Sequence, residues 1–204
     1  MKIVPQSVDI LSISDNPLKT IEYAARNCYR SHDKIKNGSS EKIVETLVKN
    51  DHGAMIEFGS CVVLLKTNRS CLAELTRHRH CSFAVSSTRY INYKNDEIEF
   101  IKPVWWDSMS FYERDIFIES CKQSEFNYKT LIEHGQRPEQ AREVLNHSLS
   151  TDIVMGVNFR ELRHIFNLRC SKKAHPQIRS IMIDLLNKMK NIVPVIFDDI
   201  NKED

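Results

Sequence analysis

The chain has 204 residues, 41% of them hydrophobic and 27% charged, with a formal net charge of +2. Such a composition fits a globular domain long enough to bury its own core, and so small a net charge argues against a protein built to wrap nucleic acid or lie on an anionic membrane. No stretch approaches the ~18 apolar residues of a membrane span, the start carries no signal-peptide pattern, and six cysteines (28, 61, 71, 81, 121 and 170) show no paired spacing, so a reducing, cytoplasmic setting is expected.

In chain order, residues 1–12 alternate and predict a first strand. Asn16-Pro17 predicts a helix start with asparagine as cap and proline at the first helical position, followed by Leu18, Ile21, Ala24, Ala25 and Cys28 on one face. Ser40 is the expected cap of a second helix that turns Ile43, Val44, Leu47 and Val48 inward. The run from Cys61 to Leu65 is rich in β-formers and reads as a buried strand. Asn68 to Thr76 predicts a short helix delivering Arg77, and Phe83 to Tyr93 an extended or looped segment. A strand is expected over Ile98 to Ile101, then a long helix from Ser108 to His134 that Gly135 terminates. Pro138 opens a helix carrying Arg142, Asp152 to Val157 reads as a strand, and Arg160 to Arg169 as a helix. Pro176 begins the last long helix, which turns Ile178, Ile181, Met182 and Leu185 inward and ends before Pro194. With no linker or repeat, residues 1–204 are expected to form one α+β domain of mixed strands and long helices.

Two segments carry chemistry. Arg77-His78-Arg79-His80-Cys81-Ser82 is followed by Ser86-Ser87-Thr88-Arg89-Tyr90. Forked guanidinium groups match phosphate or carboxylate oxygens in pairs, short hydroxyls let a ligand approach the backbone, and histidines titrate near neutral pH. That lining suits an anionic, hydrogen-bonding ligand such as a nucleotide; the plain alternative is a basic helix end followed by a polar loop. The second segment runs from Asn158 to Arg169. Helical spacing puts Arg160, Arg163, His164 and Asn167 on one stripe beside Leu162, Ile165 and Phe166, where the plain alternative is a solvated face.

Arg77-His78-Arg79, then seven residues, Ser87 and Arg89-Tyr90 resembles the signature of the flavin-dependent thymidylate synthases. Asn158-Phe159-Arg160 with Asn167-Leu168-Arg169 is similar to a second block of that family, as are Ala141-Arg142 with Leu145 and Ala24-Ala25-Arg26 with Cys28-Tyr29. The resemblance implies a homotetramer with shared active sites, which methylates dUMP using methylenetetrahydrofolate as carbon donor and FAD reduced by NADPH or NADH. It further implies that Arg77, His78, Arg79, Asn158, Arg160 and His164 hold the flavin. Glu74, Arg77, Ser86, Ser87, Thr88, Arg89, Arg142 and Arg169 would hold the nucleotide, with Arg169 catalytic through its contact with the uracil ring. Three positions depart from the pattern. Ala84-Val85-Ser86 stands where relatives often carry Asn, Glu or Gln, Phe58 replaces a histidine, and Asn146 replaces a proline.

Those departures leave open a flavin- and folate-dependent pyrimidine modifier of another outcome, such as hydroxymethylation or a cytosine nucleotide substrate. A nucleic-acid-binding module using Arg77, Arg79 and the 160–169 stripe is the rival outside enzymes, although no nucleic-acid or membrane partner is expected. His78, His80 and Cys81 are zinc-type donors without a second Cys/His pair, so no metal is expected. Cys81 lies among basic residues that favour a thiolate, but the preferred reading is a small packing side chain. Trp105 and Trp106 read as core or interface anchors rather than a ring-stacking platform.

Overall fold

A computed structural model describes residues 1–200. In chain order it contains β1 (Lys2–Val4), β2 (Ser7–Ile13), α1 (Pro17–Cys28), α2 (Ser39–Lys49), α3 (Gly53–Ile56), β3 (Ser60–Asn68), α4 (Arg69–Leu75), β4 (Ser82–Val85), β5 (Glu99–Ile101), α5 (Phe111–Glu133), α6 (Pro138–Ala141), β6 (Ser150–Asn158), α7 (Phe159–Arg169), α8 (Pro176–Ile192) and α9 (Pro194–Phe197). The mixed α+β class expected from the sequence is what forms. β1 pairs with β5, and a second sheet has the order β2-β3-β6-β4.

Contacts group the chain into two compact units, each built from three stretches. The first comprises Met1–Ser7, Leu65–Arg77 and Ala84–Ile153; the second comprises Val8–Leu64, His78–Phe83 and the described residues from Val154 on.

In the first unit β1 runs parallel to β5, with Lys2 opposite Glu99 and Val4 opposite Ile101. Ile98, Phe100, Cys121, Tyr128, Ile132, Ala141 and Leu149 form its core. α5 supplies three of these side chains and starts on a reciprocal capping box between Ser110 and Glu113, which satisfies two otherwise orphaned N–H groups. Gly135 ends that helix at φ +88°, the left-handed conformation that glycine adopts without strain. Glu125 of α5 fastens two other segments, accepting from the Ile98 backbone N–H at 3.0 Å and pairing with the Met1 ammonium at 2.8 Å.

The second unit is largely helical. α1 packs on α2, α7 on α8, and α8 on α9. Phe197 meets both Phe159 and Phe166 edge-on, with ring centroids 5.5 and 5.7 Å apart. All three rings are fully buried, as are Ile178, Ile181, Met182, Leu185, Leu186 and Met189 of α8. Arg163 reaches out of α7 to clamp the segment around α9, donating to the Ile196 carbonyl and to both Asp199 carboxylate oxygens.

β3 and β6 alternate buried and less buried side chains along their length, the period-two pattern of strands with one face packed. Each runs straight into a helix through an asparagine cap. Asn68 Oδ1 accepts from Cys71 N at 2.9 Å, and Asn158 Oδ1 from Glu161 N at 2.8 Å.

Several expected boundaries differ. Residues 1–12 form two strands interrupted at Pro5, whose ring leaves no N–H for a ladder. Asn16 precedes α1 with φ 45° and makes no capping bond. The second helix begins at Ser39 after Gly38, so Ser40 is not its cap. Of the expected α1 face, Ile21 and Ala25 are buried while Cys28 is exposed. Arg142 lies in a 3-10 turn (Arg142–Val144) rather than on a helix, because α6 ends after a single turn.

Gly59 is a packing constraint. A Cβ there would lie 2.4 Å from the Phe159 ring, whose backbone N–H donates to the Gly59 carbonyl at 2.8 Å. Gly59→Ala is expected to cost about 1–3 kcal/mol, the range for overpacking a filled core, read as a lower urea midpoint with unchanged slope. Gly156→Ala serves as the control: its nearest neighbour would be 3.8 Å away, and alanine suits a strand interior better than glycine. Equal stability of the two variants would remove the Gly59–Phe159 contact from the account.

Candidate functional site

The second unit holds the flavin-type residues expected from the sequence except Arg77, which belongs to the first. Because β6 passes into α7 through the Asn158 cap, the first turn and outer face of α7 are fixed relative to the strand. Glu161 occupies the third helical position and is 9% exposed; His78, delivered from the first motif, is 5% exposed. The two motifs meet here. Arg169 Nε donates to His78 Nε2 at 3.1 Å, and His78 Nδ1 lies 3.5 Å from Glu161 Oε1. An arginine Nε–H can only donate, so His78 Nε2 must accept and its proton must sit on Nδ1, facing the carboxylate. Burial pushes the His78 pKa below the usual imidazole value, and the Arg169 charge pushes it further; Glu161 opposes them. The ring is therefore neutral at physiological pH. His164 stands edge-on to it, centroids 6.0 Å apart.

Arg160 extends the other way. Its side chain lies across Gly53, where a Cβ would come within 2.9 Å of Nε, and its Nη1 pairs with Glu57 at 2.6 Å. Glu57, His80, Asn158, Arg160, Glu161 and His164 line a cavity of about 420 Å³. Arg160, His80 and His164 give this lining the donors that a diphosphate and a hydrogen-bonding ring require, so the donor set fits a flavin dinucleotide. Asn158 enters the lining with its amide oxygen already committed to the helix cap. Phe58, standing where the family resemblance expects a histidine, is exposed. Arg79 is exposed as well.

The first unit holds the nucleotide-type residues other than Arg169, which lies on α7 in the second. Arg69 Nη2 donates to the Ser86 carbonyl at 2.9 Å, while Ser86 N donates to the Asp152 carbonyl at 3.0 Å. These bonds fix the start of the Ser86–Arg89 loop. Ser87 builds the turn itself, its hydroxyl accepting from Arg89 N at 3.3 Å and its carbonyl from Tyr90 N and Ile91 N. Thr88 is half-buried beside it. Arg89 stacks over Tyr90 at 5.4 Å and pairs with Glu139 at 3.1 Å. Arg142 pairs with its neighbour Glu143 at 3.4 Å. Glu74 is half-buried near the end of α4, its carbonyl accepting from Arg77 N at 3.4 Å, and the Arg77 side chain is exposed.

Other sequence expectations resolve as follows. Half-buried Cys81 has its thiol pushed up to about 12, by burial first and by the nearby Glu161 charge second. The neighbouring basic residues therefore do not favour a thiolate. His78, Glu161 and His164 present ligand atoms within 4.8 Å of one another, the donor types that a divalent transition metal accepts. That cluster differs from the His78–His80–Cys81 set, and the His78 Nε2 lone pair already receives Arg169. Arg163 leaves the polar stripe of α7 to hold the segment around α9. Sequence reasoning missed Glu161 and Arg69. The signal for Glu161 is its N3 position after an Asn cap; Arg69 follows the other Asn cap directly.

The family profile described as thymidylate synthase complementing protein matches residues 9–195. Among curated relatives, a flavin-dependent thymidylate synthase of Geobacter sulfurreducens is 28% identical, with 94% of this chain and 85% of that protein covered. Another from Haloarcula marismortui is 29% identical, with 96% and 95% covered. Two solved structures share the fold at 22% sequence identity. One is a UMP/dUMP methylase, PolB, from Streptomyces cacaoi bound with 5-Br dUMP, with TM-score 0.80 and coverage of 97% of this chain and 96% of that chain. The other is Thymidylate Synthase X from Helicobacter pylori with FAD and dUMP, with TM-score 0.79 and coverage of 95% and 98%. With 187 consecutive positions, 9 to 195, inside one profile, the chain belongs to the thymidylate synthase complementing protein (Thy1) family.

Proposed function

We propose that this protein is a flavin-dependent thymidylate synthase that methylates dUMP to dTMP, taking its carbon from methylenetetrahydrofolate and using FAD that NADPH or NADH reduces. The observation that carries this reading is the hydrogen bond between Arg169 and His78, which joins two motifs 91 residues apart in sequence. Residues 1–204 act as one catalytic domain, working in the cytoplasm as a homotetramer whose active sites draw on more than one subunit.

The chain's own work is binding and electrostatics. Arg77, His78, Arg79, Asn158, Arg160 and His164 hold the flavin, which supplies the hydride when bound and reduced. Arg89 and Arg142, with Ser86, Ser87 and Thr88, receive the nucleotide's phosphate, while Glu74 and Arg77 complete its contacts. The Arg89–Glu139 pair is exposed, and such pairs contribute about 0–1 kcal/mol. A phosphate therefore meets little cost in taking the Arg89 guanidinium from Glu139. Arg169 faces the uracil ring and stabilises negative charge developing on it, which makes C5 more nucleophilic. C5 takes up the one-carbon unit and loses its proton, the carbon's bonds to folate break so that tetrahydrofolate leaves, and hydride converts the resulting methylene to methyl. Cys81 takes no part, since its thiol is protonated at neutral pH.

The purified protein is expected to be yellow or to become so on adding FAD. Arg169→Ala should keep the flavin and its reduction by NADPH while thymidylate formation falls by roughly a hundredfold, the scale of one lost oxyanion donor. A colourless protein that cannot be loaded with flavin sinks the reading, and equal retention of both activities removes Arg169 from the reacting atoms.

The His78 pKa supplies a pH test. Its folded value lies below 6.5, so the unfolded chain binds the proton first and stability declines as pH falls through about 6.5. Protonation in the folded state also takes the lone pair that receives Arg169. Glu161, His164 and Arg169 are the ionisable groups facing the ring. The acid limb of kcat is therefore expected below pH 6.5; a His78-dependent limb centred above it would contradict a neutral imidazole.

A further inference from the structure

We infer that Glu161 is a positioning residue, which fixes the His78 tautomer and through it the orientation of the Arg169 guanidinium. The catalytic half of this inference rests on the thymidylate reading; the tautomer half does not.

The carboxylate, imidazole and guanidinium form a row in which the ring can face only one way. Its Nε2 lies 3.1 Å from a group that must donate, and its Nδ1 lies 3.5 Å from a group that, ionised, can only accept. In water the two neutral tautomers of imidazole are close in energy, so a fixed acceptor on one side decides between them. Without Glu161, the Nε2–H tautomer becomes accessible. That form points a proton at the Arg169 Nε–H, and two donors facing each other push the guanidinium away. The longer of the two contacts is the one to the carboxylate, and Glu161 is nearly buried. A buried acid facing an N–H is an orienting group by the same logic that fixes the base in catalytic triads.

Glu161 also has an ordinary helical role. Its backbone N–H donates to the capping side chain of Asn158, and an acidic side chain in the first turn of α7 complements the helix dipole. Substitution by glutamine separates these roles. The Glu161→Gln variant keeps an oxygen that accepts from Nδ1–H but loses the charge that the dipole favours, whereas Glu161→Ala loses both. A dipole role makes the two variants alike. A positioning role makes Glu161→Gln resemble the wild type and Glu161→Ala stand apart.

The test combines a tautomer readout with kinetics on the full-length protein. Nitrogen-15 NMR of histidine-labelled protein distinguishes protonated from unprotonated ring nitrogens, and the spectrum of His78→Gln identifies the His78 signals. Should that variant not fold, the signals that change between wild type and Glu161→Ala identify them instead. The wild type and Glu161→Gln are expected to show His78 with its proton on Nδ1, and Glu161→Ala to lose that pattern. Thymidylate kcat of Glu161→Ala should fall by about tenfold or more with KM for dUMP changing less than about threefold, because an acting side chain has been misdirected rather than a binding contact removed. Glu161→Gln should recover most of kcat. A wild-type His78 protonated on Nε2 overturns the inference, as does a Glu161→Ala variant that keeps both tautomer and turnover. If the tautomers behave as expected but no thymidylate forms, the row stands and the functional reading falls.

Discussion

His78 is buried between an anion and a cation, and the geometry of the second motif depends on its being neutral. A charged imidazole in that position would lose solvation and meet the Arg169 guanidinium at 3.1 Å. A neutral ring with its proton on Nδ1 instead gives each neighbour the partner it needs. The ring thereby links the first motif to the C-terminal end of α7. The other arginines of the helix likewise have partners of their own. Arg169 is turned onto His78, Arg160 is laid across Gly53 onto Glu57, and Arg163 is withdrawn to Asp199.

The same local device delivers both candidate segments. A nine-residue strand ends at an asparagine whose side chain caps the following helix, first at Asn68 and again at Asn158. A strand passing directly into a capped helix leaves little freedom in the connection, so side chains one to three positions past the cap are well determined. Arg69 and Glu161 occupy such positions, and each orients a residue of the expected site rather than standing in the open. Glycine serves the same end at Gly59, where the Phe159 ring approaches the backbone more closely than a Cβ would allow.

Much of this is legible from residues alone. The helices α7 and α8 follow from the spacing of their side chains, and the end of α5 and the start of α8 from Gly135 and Pro176. The motif from Arg77 to Tyr90 stands out as a candidate site because it gathers guanidinium groups and hydroxyls. The partners of those groups cannot be read. The Glu139 that neutralises Arg89 lies 50 residues away, and the His78–Arg169 bond spans 91. Local propensity contains no term for such contacts. Ser40 reads as a cap only because a good capping residue stands close to a glycine that reaches φ 74° more cheaply. Arg142 reads as helical because Pro138 signals where a helix begins but not that it ends after one turn.

Transfer of a reduced one-carbon unit to C5 of dUMP is the claim on which the functional account stands. The measurement that tests it most directly is mass spectrometry of the nucleotide formed from dUMP, carbon-13-labelled methylenetetrahydrofolate, FAD and NADPH. The account predicts dTMP carrying the label in its methyl group, with formation dependent on both FAD and NADPH. A hydroxymethylated nucleotide, or unchanged dUMP under conditions where the bound flavin is reduced, would contradict it.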